Sequence, residues 1–308
     1  MQSENSVPDI KSSITVDLED GINILMKDQF NILMPPTERA VINTDILLDL
    51  FEKHETKVTF FILGEIAHAF PELIKKIDSF GHEIGAHGYR HDQLFKLTPE
   101  EVATDISKSK RVLENIIGKP VLGYRAPAFS IIPENAWALE IIAEAGFKYD
   151  SSIVPIKMKR YGWKEFEKQI IRLQLPNNFT LIEVPIPVVS IMGHSFPVCG
   201  GGYLRYFPLN FTNWAFSSIV KDRSVIVYLH PYELDTIRYP DFFYSARKTL
   251  NIGKSLPLMI YRFKKGTVKE KLNSMLLKYK FIPLIDIIRT LETENAIGSI
   301  RLGNSKTA

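Results

Sequence analysis

Lys57-Val58-Thr59-Phe60-Phe61-Ile62-Leu63 is apolar at nearly every position and shows no alternation. A strand with one wet face alternates apolar and polar residues. One without alternation is buried on both faces, as in a parallel sheet covered by helices. The neighbouring sequence supplies such helices. Pro36 to Lys53 spaces Val41, Ile42, Ile46, Leu47, Leu50 and Phe51 at helical intervals behind a starting proline, and Pro71 to Phe80 is a shorter helix of the same kind. Thr98 to Ile117 opens with a capping pattern, Thr98-Pro99-Glu100-Glu101, and closes at Gly118; Pro133 to Ala145 closes at Gly146. Between them, Ser12 to Leu18, Glu83 to Ala86, Val121 to Tyr124, Phe147 to Asp150, Leu181 to Pro185 and Ser224 to Leu229 read as strands. Lys157 to Asn178, Cys199 to Leu204 and the stretch after Tyr239 are loop-like in composition. Strand and helix in turn predict an α/β fold built on a parallel sheet.

Composition narrows the class. The chain has 308 residues, 45% hydrophobic and 24% charged, as in ordinary globular proteins. Its one cysteine, Cys199, excludes an internal disulfide framework and a cysteine-rich zinc site. The polar start, Met1 to Lys11, lacks the pattern of a signal peptide, and no run of about 18 apolar residues occurs, so a cytoplasmic protein is expected. Between Arg247 and Lys280 stand ten Lys/Arg residues and a single acid, Glu270. Such a segment is either a solvated face or a contact for phosphate groups or the inner membrane surface. No nucleic-acid module is recognisable.

In parallel α/β folds functional side chains gather at the carboxyl ends of strands. Here those ends carry Asp17, Glu19 and Asp20, then His87 and His91, then Arg125, Asp150 and finally His230. That repetition argues for one site. His87 and His91 are four residues apart in Gly81-His82-Glu83-Ile84-Gly85-Ala86-His87-Gly88-Tyr89-Arg90-His91. One helical turn there would aim both imidazoles at one point, which suits a divalent metal.

These residues also carry a family resemblance. Thr15-Val16-Asp17-Leu18-Glu19-Asp20, His87-Gly88-Tyr89-Arg90-His91, Arg125-Ala126-Pro127, Tyr149-Asp150-Ser151-Ser152 and Tyr228-Leu229-His230-Pro231 resemble, in order, five motifs of the NodB-type polysaccharide deacetylases, carbohydrate esterase family 4. Gly200-Gly201-Gly202-Tyr203 and the His230-Pro231-Tyr232-Glu233 run resemble the subgroup tied to bacterial exopolysaccharide and surface-glycan synthesis. The resemblance covers roughly residues 12 to 235. It implies a distorted (β/α)7-type barrel over residues 1–239, followed by a basic, partly helical extension over 240–308 packed on or near it.

The implied activity is metal-dependent removal of an N-acetyl group from an amino sugar in a glycan or a phosphate- or lipid-linked precursor. A divalent ion, zinc foremost, would sit on His87, His91 and one carboxylate. Family members often place two aspartates side by side. Here the run is Asp17-Leu18-Glu19-Asp20, so Glu19 and Asp20 both stand as candidate ligands. By the resemblance Asp17 is the general base, Arg125 its partner, His230 the general acid and Asp150 the carboxylate that orients His230. Asp150 could instead cap Ser151-Ser152. Tyr203, Arg205 and Glu233 are candidate substrate contacts, though the glycine run could be a tight loop and Glu233 could pair with a lysine. Phe129, Tyr161 and Trp163 either stack on sugar or belong to the core. The competing readings are an amidase acting on a cyclic amide or ureide, and a non-catalytic glycan-binding protein.

Overall fold

The computed structural model describes residues 11–158, 161–192, 194–235 and 267–303. The apolar run around Phe60 forms β2 (Thr59–Ile62), buried throughout. It pairs in parallel with β1 (Ser13–Leu18) on one side and β3 (Glu83–Ala86) on the other. The parallel set continues through β4 (Gly123–Tyr124), β5 (Tyr149–Asp150) and β7 (Thr180–Glu183), and β10 (Ile226–Leu229) lies on the far side of β1. β6 (Ile171–Gln174) runs antiparallel to β7, and β11 (Gly298–Arg301) adds to it, giving a nine-stranded sheet of order β10-β1-β2-β3-β4-β5-β7-β6-β11. A separate hairpin joins β8 (Val188–Ile191) to β9 (His194–Pro197).

Seven parallel strands match the number expected, and their curvature is legible from packing. Helix α10 (Leu284–Thr293) buries Leu284, Ile285, Ile287 and Ile288 in one cluster with Phe61 of β2, Tyr149 of β5, Ile182 of β7 and Ile226 of β10. Strands from opposite ends of the parallel set thus meet on the same helix, so the sheet curls around it in a barrel-like way. Each of those aliphatic side chains contributes about 1.5–3 kcal/mol by leaving water. The outer layer is formed by α2 (Glu38–Lys53), α3 (Gly64–Ala69), α4 (Pro71–Ser79), α5 (Pro99–Ile117) and α6 (Ala138–Glu144).

Local signals mostly acted as their chemistry requires. Thr98 and Glu101 form a reciprocal capping box on α5, and Gly118 ends it at φ 68°. The helix expected over 133–145 is shorter. Asn135 accepts the Ile132 N–H and donates to the Ser130 carbonyl, holding a single 3-10 turn, so α6 starts at Ala138. Two stretches expected to be loops contain elements: 157–178 holds β6, and 199–204 leads into α7 (Gly201–Tyr206). Glycine disfavours helix, so α7 depends on its packing. A Cβ at Gly200 would lie 2.0 Å from the Tyr228 ring, and Gly201, at φ +47°, also abuts it. α8 (Leu209–Ile219) follows.

Of the basic stretch from Arg247 to Lys280, residues 247–266 lie outside the described residues. The described part is integral to the fold: α9 (Thr267–Lys278) buries Val268, Leu272, Met275 and Leu276, and α10 and β11 complete the sheet. Lys271 of this stretch is not a free surface cation; its ammonium donates to the carbonyls of Leu204, Arg205 and Phe207 at the end of α7. Among the described residues no helix is long and apolar enough to cross a membrane.

His82 is a structural histidine. Its Nδ1 accepts the Val58 N–H at 3.2 Å and its ring packs edge-on against Phe51 and Phe60. Burial, aided by Lys57, lowers its pKa from 6.5 to about 4. The unfolded chain therefore binds this proton first as pH falls, and the neutral ring's contribution is intact above about 6.5 and lost on descending towards 4. His82→Gln keeps an acceptor but does not titrate. Urea denaturation should show wild-type stability falling between pH 6.5 and 4 by up to about 1.4 kcal/mol per pH unit from this group, and a flatter profile in the variant.

Candidate active site

The carboxyl end of β1 delivers three acids to different places. Asp17, still on the strand, points its carboxylate at Arg125. Glu19 follows beyond the strand and faces two imidazoles, its Oε1 being 3.1 Å from Nε2 of both His87 and His91. Asp20 turns away to cap α1 (Gly21–Phe30). Its Oδ1 accepts the N–H groups of Ile22 and Asn23, and its Oδ2 that of Thr37. With its oxygens committed as a helix cap, Asp20 is removed as the alternative to Glu19.

The histidines are not on a helical turn. Residues 87–91 form a bend in which Gly88 has φ +72° and His91 itself φ 58°. A Cβ at Gly88 would lie 3.0 Å from Asp105 and 3.1 Å from Pro127, so the loop passes through a narrow gap. Helix α5 holds it from behind: Asp105 accepts the Tyr89 N–H at 2.9 Å, and Ser109 donates to the Gly88 carbonyl at 2.8 Å. Burial pushes the Asp105 carboxyl up to about 6. These two supports were not singled out from sequence. The available signal was a pair of polar residues four apart on the helix face that also buries Val102, Ile106 and Leu113.

Glu19, His87 and His91 form a cluster with the chemistry of a cation site. Nδ1 of His87 lies 2.8 Å from the Arg125 carbonyl oxygen, which places a proton on Nδ1 and leaves a lone pair on Nε2. That lone pair faces a carboxylate oxygen 3.1 Å away. Two acceptors at that distance repel unless a proton or a cation lies between them. One donor atom from each of the three residues lies within 4.8 Å of the others. Two imidazole nitrogens and one carboxylate, all buried, fit a divalent ion with room for further ligands. Burial alone would raise the Glu19 carboxyl, but His230, His91 and His87 hold it well below the usual range.

Arg125 is fully buried and holds Asp17. Its Nη1 donates to Asp17 Oδ1 at 2.6 Å and Thr15 Oγ1 at 2.8 Å, its Nε to the Ser151 carbonyl and its Nη2 to Ser151 Oγ, both at 2.9 Å. The guanidinium also lies 4.2 Å from the centre of the Phe61 ring. Across the pocket, His230 Nε2 is 4.0 Å from Asp17 Oδ2 and 3.8 Å from Glu19 Oε1. Burial opposes charge on this ring, yet Glu19, Glu233 and Asp17 raise its pKa to about 9.

Two expectations are corrected. Asp150 is not the partner of His230. Its carboxylate accepts Ser152 Oγ at 2.6 Å and the Ser152 N–H at 3.2 Å, a turn in which Ser152 in turn accepts the Ala126 N–H. It also lies beside Glu183; burial raises both carboxyls, Glu183 the more strongly. Asp150 thus shapes the Arg125-Ala126 backbone from beneath. The carboxylate next to His230 is Glu233, whose Oε2 is 3.4 Å from Nδ1. Glu233 and Arg205, expected at the substrate, are buried behind His230 as an ion pair of 3.0 Å. Tyr203 stacks on Phe207 and meets the Tyr161 hydroxyl at 3.5 Å, so it backs Tyr161. Phe129 and Tyr161 do line the pocket, whereas Trp163 packs against the core.

The pocket holding Asp17, Glu19, His87, His91 and His230 has a volume of about 290 Å³ and is walled by Phe129, Tyr161, Tyr228 and Tyr232. Residues 36–149 match the family model for polysaccharide deacetylases, and residues 151–288 match a domain of unknown function, DUF3473. The peptidoglycan-N-acetylglucosamine deacetylase of Bacillus cereus is 31% identical over 163 residues, which is 53% of this chain and 53% of the relative. The chain spans about half the length of the curated relatives it matches, 53% and 54% for the first two. The fold is similar to that of a candidate polysaccharide deacetylase from Mycobacterium smegmatis (TM-score 0.63, 18% identity, 96% of each chain). It is also similar to Puue allantoinase (TM-score 0.59, 15% identity, 92% of this chain and 90% of that one). The similarity to polysaccharide deacetylases is thus carried by residues 36–149 and by relatives matched over about half of their length.

The Arg125–Asp17 pair yields a stability prediction. Arg125→Met strands a buried carboxylate and should cost about 3–5 kcal/mol in urea denaturation. Adding Asp17→Asn should restore part of that loss, a non-additivity that two independent sites would not show.

Proposed function

We propose that the protein is a metal-dependent hydrolase that removes the acetyl group from an N-acetylated amino sugar in a glycan or glycan precursor. The observation that carries this reading is the convergence in one pocket of a carboxylate held by a buried arginine, a Glu-His-His cluster and a third histidine on the opposite side. Amide hydrolysis needs an activated water, stabilisation of a developing oxyanion and a proton for the leaving nitrogen. A divalent ion on Glu19, His87 and His91, zinc foremost, would supply the first two by acidifying bound water and polarising the acetyl carbonyl. Asp17 takes the water proton. Arg125 holds that carboxylate in one direction. His230, with Nε2 towards Asp17 and Glu19, gives a proton to the departing amine.

The names of the relatives favour an N-acetylated glycan as substrate. A second hollow of about 600 Å³ shares Gln93 and Tyr161 with the pocket and carries Phe95, Lys157 and Met158, leaving room for the rest of a glycan. The exopolysaccharide subgroup, a phosphate or lipid handle, and work at the inner membrane face extend this reading from the glycine run, the His-Pro-x-Glu run and the basic stretch of the sequence.

Metal content by elemental analysis and acetate release from N-acetylglucosamine oligomers, measured on the same samples, test the reading. Wild type should carry about one ion per chain and release acetate, and His87→Ala/His91→Ala should lose both. Asp17→Asn should keep its metal and lose about 10²–10⁴-fold in turnover. A metal-free wild type, or a metal-loaded one that opens cyclic amides but leaves N-acetyl sugars intact, overturns it.

A further inference from the structure

We propose that Glu233 and Arg205 are positioning residues that lock the orientation and tautomer of His230, with α7 and Lys271 as their support. The proposal rests on the reading of His230 as the proton donor to the leaving nitrogen.

One oxygen of Glu233 grips His230 twice. Its Oε2 accepts the His230 backbone N–H at 3.1 Å and lies 3.4 Å from ring Nδ1. Fixing backbone and ring from the same point leaves little freedom about χ1. The ring is further confined by Tyr232, stacked at 4.7 Å, and by the edge of Tyr228 at 6.1 Å. With Nδ1–H directed at Glu233, Nε2 must face the pocket, where Asp17 and Glu19 lie. The other Glu233 oxygen is 3.0 Å from Arg205 Nε; the Glu233 side chain is 0% exposed and that of Arg205 9%. A carboxylate so buried is retained only with a cation beside it.

Arg205 is placed by α7. Gly200 and Gly201 let the start of that helix press on the Tyr228 ring, and Lys271 closes its other end through three carbonyls. The glycine run is thus explained by the approach of α7 to β10, the strand that delivers His230.

In the step served, the C–N bond of the tetrahedral adduct breaks and its electron pair passes to nitrogen. The nitrogen takes the proton from His230 Nε2; acetate and amine result. His230 is left neutral, with its remaining proton on Nδ1 and still directed at Glu233. An ester with a good leaving group does not need that proton.

The test compares Glu233→Gln, Arg205→Met and Arg205→Lys with wild type on two substrates, an N-acetylglucosamine oligomer and 4-nitrophenyl acetate. In Glu233→Gln the ratio of amide kcat to ester kcat should fall at least ~10-fold, with the amide KM changed less than about 3-fold. Arg205→Met should move the same way and Arg205→Lys should recover part of the loss. Equal loss on both substrates, or none, overturns the proposal by marking the pair as merely structural or as irrelevant. Long-range proton–nitrogen NMR of the His230 ring reads the tautomer without turnover. A proton on Nδ1 of the neutral ring in wild type, redistributed in Glu233→Gln, is expected; a wild-type proton on Nε2 overturns the assignment. Failure of wild type to release acetate would instead refute the deacetylase reading, while the NMR result would still decide the positioning.

Discussion

The buried guanidinium of Arg125 is the constraint on which the site depends. It lies at the carboxyl end of β4, yet its partners are Thr15 and Asp17 of β1 and Ser151 just beyond β5. Its own carbonyl takes the Nδ1 proton of His87. One residue therefore ties four strand ends together and fixes both the carboxylate read as base and the first imidazole of the cation cluster. Burying this charge costs several kcal/mol of hydration, offset by four hydrogen bonds, one of them to a carboxylate, and by the Phe61 face. Such an arrangement adds little net stability over an apolar core. What it provides is a carboxylate held in one direction, as the proposed base requires.

The site is assembled across a seam. His87, His91 and Arg125 lie in the region that matches the deacetylase family model, while Arg205, His230 and Glu233 lie in the region that matches the domain of unknown function. The two regions are not separate bodies. Tyr149 at the end of the first pairs with Ile182 of the second, and α10, which begins within the second, packs against Phe61 and Tyr149 of the first. Division of the chain by sequence similarity and division by hydrogen bonding thus fall in different places, and the chemistry falls on the hydrogen-bonded side.

Legibility in the sequence was uneven for identifiable reasons. Asp17, His87, Arg125 and His230 were legible because each stands at or beside the carboxyl end of a parallel strand, and His91 through its four-residue spacing from His87. Asp150 ends a strand as well, but its neighbour two residues on, Ser152, offers an N–H and a hydroxyl, and a short-range turn outcompeted the distant imidazole. Glu233 has the same kind of advantage in the opposite sense. Three residues after His230 it reaches back to that residue's own backbone, and the carboxylate nearest in sequence took the role. Asp105 and Ser109 share the helix face that buries Val102, Ile106 and Leu113, but residue type alone does not say that they hold the loop of residues 87–91.

By itself the sequence determined the seven parallel strands and the residues at their ends, because burial on both faces and capping chemistry are local properties of residue type. Only the tertiary structure decided which carboxylates meet which imidazoles. Glu19 rather than Asp20 faces the histidines because Asp20 is taken by the N–H groups of α1 and Thr37. The histidines converge through a glycine-threaded bend rather than a helical turn, because α5 and Pro127 leave space for nothing wider. Pairing among buried charges depends on distances of a few ångströms between segments far apart in the chain, and those distances exist only once the sheet has curled.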